Sequence, residues 1–74
     1  MFGQRVKQLR VERFLTQAEL AERAGVTRET ISNYERGERL DPPLSIVWAI
    51  ANALDVEVAV LVNGPDPKVA ATSQ

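Results

Sequence analysis

Thr16 and Glu19 stand three residues apart ahead of an apolar position, and their side chains can close two reciprocal hydrogen bonds. The threonine hydroxyl accepts from the backbone N–H of residue 19, and the carboxylate accepts from the N–H of residue 16. This capping box marks a helix start. A second start signal follows at Thr27, a good N-cap, with Glu29 in the first turn, where a carboxylate favours the positive end of the helix dipole. Other chemistry is scarce. The 74 residues include no histidine and no cysteine. That removes the commonest general base, the commonest neutral metal ligand, disulfides and thiolate metal sites. Ser32 and Ser45 have no base to activate them. A domain this small offers no cleft that could sequester paired carboxylates. Neither an enzyme nor a cofactor or metal ion is expected.

The two start signals must belong to neighbouring helices. Phe2, Val6 and Leu9 fall at i, i+4 and i+7 and predict a first helix over roughly residues 2–13, with basic outer faces. From Thr16 a second helix runs to about Ala24. Leu15 and Leu20 are spaced as a hydrophobic staple, and Gly25 suits a left-handed end. A third helix starts at Thr27, with Val26 and Ile31 as its staple, and stops at Gly37. The gap of Gly25 to Thr27 forces the two helices to cross steeply, over the small or apolar Leu20, Ala21, Val26 and Ile31. This spacing fits a helix-turn-helix and equally a helical hairpin in a bundle. Leu44, Val47, Trp48, Ala51 and Leu54 predict a fourth helix over 44–54, with Trp48 as a core or partly buried packing residue. Residues 56–62 admit two readings: alternating valines suit a strand, and short length after helices suits a last short helix. Asn63-Gly-Pro-Asp-Pro interrupts regular structure, and Lys68 to Gln74 has few large apolar residues. The expected organisation is one domain over residues 1–62 and a flexible C-terminal tail over 63–74.

Net charge is −1, low for a protein that meets a polyanion. The distribution is uneven. Residues 1–13 carry Arg5, Lys7, Arg10 and Arg13 against Glu12, whereas residues 14–41 and 42–74 are each net acidic. Any nucleic-acid face must therefore be a local patch. No apolar run approaches the ~20 residues of a membrane span, and Met-Phe-Gly-Gln-Arg leads into no signal-peptide h-region. A cytoplasmic domain is expected.

Four segments read together are specific: Leu15-Thr-Gln-Ala-Glu-Leu-Ala21, Gly25-Val-Thr-Arg28, Ile31-Ser-Asn-Tyr-Glu-Arg-Gly37 and Ile50-Ala-Asn-Ala-Leu54. They resemble the phage repressor and Cro (C1) type of helix-turn-helix domain, the XRE family, over residues 2–62. The resemblance implies an all-α, compact five-helix repressor-like domain with a helix-turn-helix formed by helices 2 and 3, the third lying in the DNA major groove. Carried over, Thr27, Arg28, Glu29, Ser32 and Asn33 face the bases, while Ile31 points inward and Tyr34 packs at least partly. Arg28 suits guanine O6 and N7, Asn33 adenine N6 and N7, and Glu29 cytosine N4. Gln17 and its helix start meet a phosphate. Arg36 and Arg39 add phosphate contacts from the next loop. Arg10 and Glu35 match a bracing ion pair, with the remaining donors of Arg10 offered to a phosphate. Three positions depart from the family pattern: Phe14 stands where many relatives have glycine, the acidic loop 38–43 is one residue longer, and Asp55-Val-Glu57 lacks the usual glycine and hydroxyl cap.

The function implied is a sequence-specific regulator of transcription, most simply a repressor bound as a homodimer to an inverted repeat of double-stranded DNA. Val56, Val58, Val60, Leu61 and Val62 supply apolar surface for the dimer or else complete the monomer core. Two alternatives stand beside this: an antitoxin-like or phage switch protein acting with a protein partner, and an interaction module without DNA binding. No membrane partner is expected.

Overall fold

The computed structural model describes residues 2–63, which form α1 (Phe2–Glu12), α2 (Gln17–Ala24), α3 (Arg28–Glu35), α4 (Leu44–Leu54) and α5 (Val58–Asn63). The tail expected after residue 63 lies outside the described residues. The domain is all-α, and α2 packs most extensively on α3 and α4, with α1 lying across α3 and α5.

Both start signals hold. Thr16 Oγ1 accepts from the Glu19 N–H at 3.0 Å, and Glu19 Oε1 accepts from the Thr16 N–H at 2.9 Å. Thr27 Oγ1 accepts from the Thr30 N–H at 3.1 Å. The inner residues Leu20, Ala21 and Ile31 are buried, and with Val6, Leu15, Ile50, Ala51, Leu54 and Leu61 they make one core. Each fully buried Leu, Ile or Val there contributes about 1.5–3 kcal/mol of transfer free energy.

The first four helices end by one device. After each, a residue with positive φ lets two backbone N–H groups turn back onto the last carbonyls: Phe14 and Leu15 on Val11 and Arg10, Gly25 and Val26 on Glu22 and Ala21, Gly37 and Glu38 on Tyr34 and Asn33, Asp55 and Val56 on Asn52 and Ala51. This is the Schellman motif. Two of the four left-handed residues are glycines. The other two are Phe14 (φ 58°) and Asp55 (φ 60°), the same positions that depart from the family pattern. Asp adopts that region with little strain because its short side chain is tolerated there. Phe14 has no such help, and it is 92% exposed, so its ring gains no packing in return.

Two expectations change. Trp48 is 61% exposed and is not a core residue. The inward stripe of α4 is Val47, Ile50, Ala51 and Leu54, and Trp48 is rotated about 100° past Val47. Residues 58–63 are helical, so the strand reading of the valines is set aside. Leu61 is fully buried and Val56 and Val58 pack against the core. These side chains complete the monomer, and Leu61 in particular is closed to a partner.

Gly3 is buried where α1 meets the end of α3, and a Cβ there would collide with the Tyr34 carbonyl oxygen. The Phe2 ring packs edge-on to Tyr34, with centroids 5.3 Å apart at 85°. Gly3→Ala is therefore expected to lower unfolding free energy by about 1–3 kcal/mol through overpacking. Phe14→Gly is expected to raise it by about 1 kcal/mol, since relief of left-handed strain exceeds the entropy glycine adds to the unfolded chain. Urea titrations of the two variants check both signs.

Candidate nucleic-acid interface

A helix that reads DNA must hold one face rigidly and leave the other open. In α3, Ile31 and Tyr34 are buried. Thr27, Arg28 and Glu29 are exposed, and Ser32 and Asn33 are half-buried. The candidate base-facing residues thus share the outer face and start of one helix. They are not all idle. The Thr27 hydroxyl caps the helix and lies 2.8 Å from the Thr30 hydroxyl. Asn33 Oδ1 accepts from Arg36 Nη2 at 2.9 Å, while Arg36 also reaches Glu38 Oε1 at 3.2 Å. An amide oxygen accepts two hydrogen bonds, so Asn33 keeps one lone pair and both N–H donors. Sequence reading missed this link, although the spacing of three residues on a helix turn is its signal.

The groups expected to meet phosphate divide in two. Arg36 and Arg39 are exposed on the loop after α3. Arg10 and Gln17 instead converge on Glu35. Arg10 Nε donates to Glu35 Oε2 at 2.7 Å and Nη2 to Oε1 at 3.1 Å, and Gln17 Nε2 donates to Oε1 at 3.0 Å. Arg10 Nη1 donates to the Leu15 carbonyl at 2.7 Å. The Glu35 side chain is 4% exposed and that of Arg10 12%. Three of the five guanidinium donors of Arg10 thus act inside the protein. The Gln17–Glu35 contact spans 18 positions and carries no local sequence signal.

The start of α2 retains donors of its own. The capping box uses the N–H groups of Thr16 and Glu19, leaving those of Gln17 and Ala18 outside it at the positive end of the helix dipole. What the arrangement can do is bind an extended polyanion with its bases accessible. α3 presents hydrogen-bonding side chains, flanked by a helix start and two exposed arginines. Among the described residues no cluster of His, Cys, Asp and Glu could hold a metal ion.

Since Glu35 is nearly buried, removing its cation leaves a charge without a partner, which costs about 3–5 kcal/mol, whereas replacing both partners by apolar groups costs far less. Arg10→Met is expected to lose that amount, a large share of the ~5–15 kcal/mol that holds a small domain folded. Arg10→Met combined with Glu35→Leu should recover most of it in the same denaturant titration. Equal losses in the single and double variants would show that the two groups do not act as a pair.

Comparison with known proteins agrees with this geometry. The helix-turn-helix family matches residues 6–61. The immunity repressor protein of Bacillus phage phi105 is 45% identical over 61 residues, which cover 82% of this chain and 42% of that protein. The chain likewise spans only 57% and 60% of the SinR transcriptional regulators of Bacillus subtilis and Bacillus licheniformis. The crystal structure of SinR, the master regulator for biofilm formation, in complex with DNA superposes with a TM-score of 0.81 at 39% identity, covering 84% of this chain and 98% of that one. The SinR–SinI complex superposes with a TM-score of 0.80 at 34% identity, covering 99% and 81%. The chain belongs to the helix-turn-helix family, as a DNA-binding domain of the phage repressor and Cro (XRE) type.

Proposed function

We propose that this chain reads DNA sequence for a transcriptional repressor, binding an inverted-repeat operator as a dimer with α3 in the major groove. The observation that carries the reading is the outer face of α3, where Arg28 and Glu29 stand exposed beside Ser32 and Asn33 on a helix anchored by Ile31 and Tyr34. The likeness to SinR, whose structure was solved with DNA, supports the same docking. In this reading Arg28 pairs with guanine O6 and N7, Asn33 with adenine N6 and N7, and Glu29 with cytosine N4, while Thr27 and Ser32 offer hydroxyls to neighbouring bases. Gln17, with the start of α2, takes one phosphate, and Arg36 and Arg39 take others. Arg10 serves chiefly to hold Glu35 and Gln17 in place, and its two remaining N–H groups are all it can offer a phosphate. Work on DNA puts the protein in the cytoplasm, on the nucleoid when bound. Among the described residues no helix is long and apolar enough to cross a membrane.

A second reading adds a protein partner that tunes the repressor. It is favoured by the likeness to the SinR chain of a SinR–SinI complex across 99% of this chain.

Selection from random duplex DNA at roughly physiological salt, where non-specific attraction is screened, tests the proposal. An enriched inverted repeat is the expected result, and folded protein that enriches nothing would overturn it. On the selected site, Arg28→Ala and Asn33→Ala should each relax preference at one base pair by about 1–3 kcal/mol. Gln17→Ala and Arg39→Ala should weaken all sequences alike, Arg39→Ala also reducing the salt slope by about 1. Uniform losses in all four would remove Arg28 and Asn33 from base readout.

A further inference from the structure

We propose that Arg36, held by Glu38, fixes the direction in which Asn33 reads a base pair, so that Glu38 sets specificity without touching a base. The inference rests on the reading of α3 as the helix in the major groove and deepens it. The turn that stops α3 builds the device. Gly37 takes a positive φ of 79°, and the chain folds back so that the Glu38 and Arg39 N–H groups donate to the Asn33 carbonyl at 2.9 and 3.4 Å. This return sets the Glu38 carboxylate beside Arg36, which lies one helical turn beyond Asn33. Arg36 Nη2 then donates to Asn33 Oδ1 at 2.9 Å and to Glu38 Oε1 at 3.2 Å. The Arg36 and Glu38 side chains are 56% and 60% exposed, so neither is part of the core.

The chemistry of the pair fixes the amide. A guanidinium has donors and no acceptor. The amide atom that faces Nη2 must therefore be oxygen, and Nδ2 takes the other arm. An asparagine without such a neighbour turns over about its last torsion, which is roughly two-fold, and exchanges donor for acceptor. Beside Arg36 that exchange would set N–H against N–H. The order matters for a base edge. Adenine offers N7 as acceptor and N6 as donor, and an amide meets both only in the matching order. The reversed order suits adenine on the opposite strand. A held amide thus separates a base pair from its reversed form, and a free one serves both. Both N–H groups of Nη2 are spent on this clamp, while those of Nε and Nη1 stay available to the phosphate assigned to Arg36. Glu38 keeps the guanidinium over Asn33 against the pull of that phosphate. The same carboxylate repels the phosphates, so Glu38 gives up affinity for every duplex and gains discrimination at one base pair.

The test uses the full chain on the selected DNA site. Asn33→Ala identifies the base pair that Asn33 reads, and affinity is then measured with that pair in place and with it reversed. The unaltered protein should prefer one orientation by about 5- to 150-fold. Arg36→Ala should remove most of this preference and weaken binding to all sequences. Arg39→Ala should weaken all sequences and keep the preference. Glu38→Ala should tighten binding to every sequence by up to about 5-fold and lower the preference at that pair alone. Glu38→Gln loses the charge and keeps an acceptor, so it should tighten binding and retain most of the preference. A preference that survives Arg36→Ala or Glu38→Ala overturns the clamp and leaves Asn33 as a reader. If Asn33→Ala costs no preference at any pair, both the clamp and the base-reading role of Asn33 fall. A second measurement needs no DNA. The side-chain NH₂ signals of Asn33 in a nitrogen–proton correlation spectrum should move in Glu38→Ala and much less in Glu38→Gln. Signals that stay in place in Glu38→Ala overturn the clamp whether or not a DNA sequence is selected.

Discussion

The carboxylate of Glu35 is the point on which the rest of the domain turns. It sits at the last residue of α3, where the negative end of the helix dipole disfavours an anion. It is almost fully removed from water. Such a group persists only if donors surround it, and three do: two from Arg10 on α1 and one from Gln17 at the start of α2. One side chain therefore ties three helices together. Arg10 extends the tie, because it donates to the Leu15 carbonyl while its own carbonyl accepts the Leu15 N–H. The turn between α1 and α2 is clamped from both sides, and with it the residue that precedes the capping box. The angle at which α3 leaves the body of the domain is thus held by hydrogen bonds at its C-terminal end as well as by the burial of Ile31 and Tyr34.

Around that knot the chain repeats one solution to a general problem. A helix end leaves carbonyls unpaired, and a short chain cannot devote long loops to satisfying them. Four successive Schellman turns solve this within two residues each. The apolar residue after three of these turns then drops onto the core: Leu15, Val26 and Val56 all pack there. The turn between α2 and α3 is the tightest case. Val26 closes α2 and Thr27 opens α3, so the crossing angle of the helix-turn-helix is set by two adjacent residues with opposite tasks. Gly3 plays the matching part at the other end, since its missing side chain lets α1 approach the backbone of Tyr34.

Much of this was legible in the sequence because it is local. The capping box, the two N-caps, the glycine stops and the period of α4 all act within a few residues, and the structure repeats them. The family resemblance supplied what is not local, the Arg10–Glu35 pair and the five-helix frame. The residues 56–62 were ambiguous for a physical reason. Seven residues are too few for a helical period to outweigh valine alternation, and what decides is Leu61 fitting the core, which is a tertiary event. Trp48 misled because α4 is apolar on more than one face. Its size suggested burial, but the inward stripe was already filled by smaller residues. Of the site, the outward placement of Arg28 and Glu29 was what the resemblance implied, and both are exposed. The engagement of Gln17 with Glu35 was not legible, since nothing in either neighbourhood points to the other.

The knot also bears on how a chain of net charge −1 can meet DNA. Net charge counts every arginine equally, but the fold does not. Arg10 is neutralised inside by Glu35, and Arg5 is turned to the Val62 carbonyl at the far side of α1. Arg28 and Arg39 are left exposed beside α3, and none of the described salt bridges involves them. The acids of the later chain, Asp41, Asp55 and Glu57, lie on the loop before α4 and around the start of α5. Affinity in such a domain cannot come from a broad positive field, which would bind any duplex. In the proposed reading it comes from few phosphate contacts and a short reading helix, and those few contacts would make a shallow salt dependence per copy. In the proposed dimer, specificity then rests on two copies held in register. In that reading the same frugality in charge that weakens non-specific binding gives the second copy its purpose.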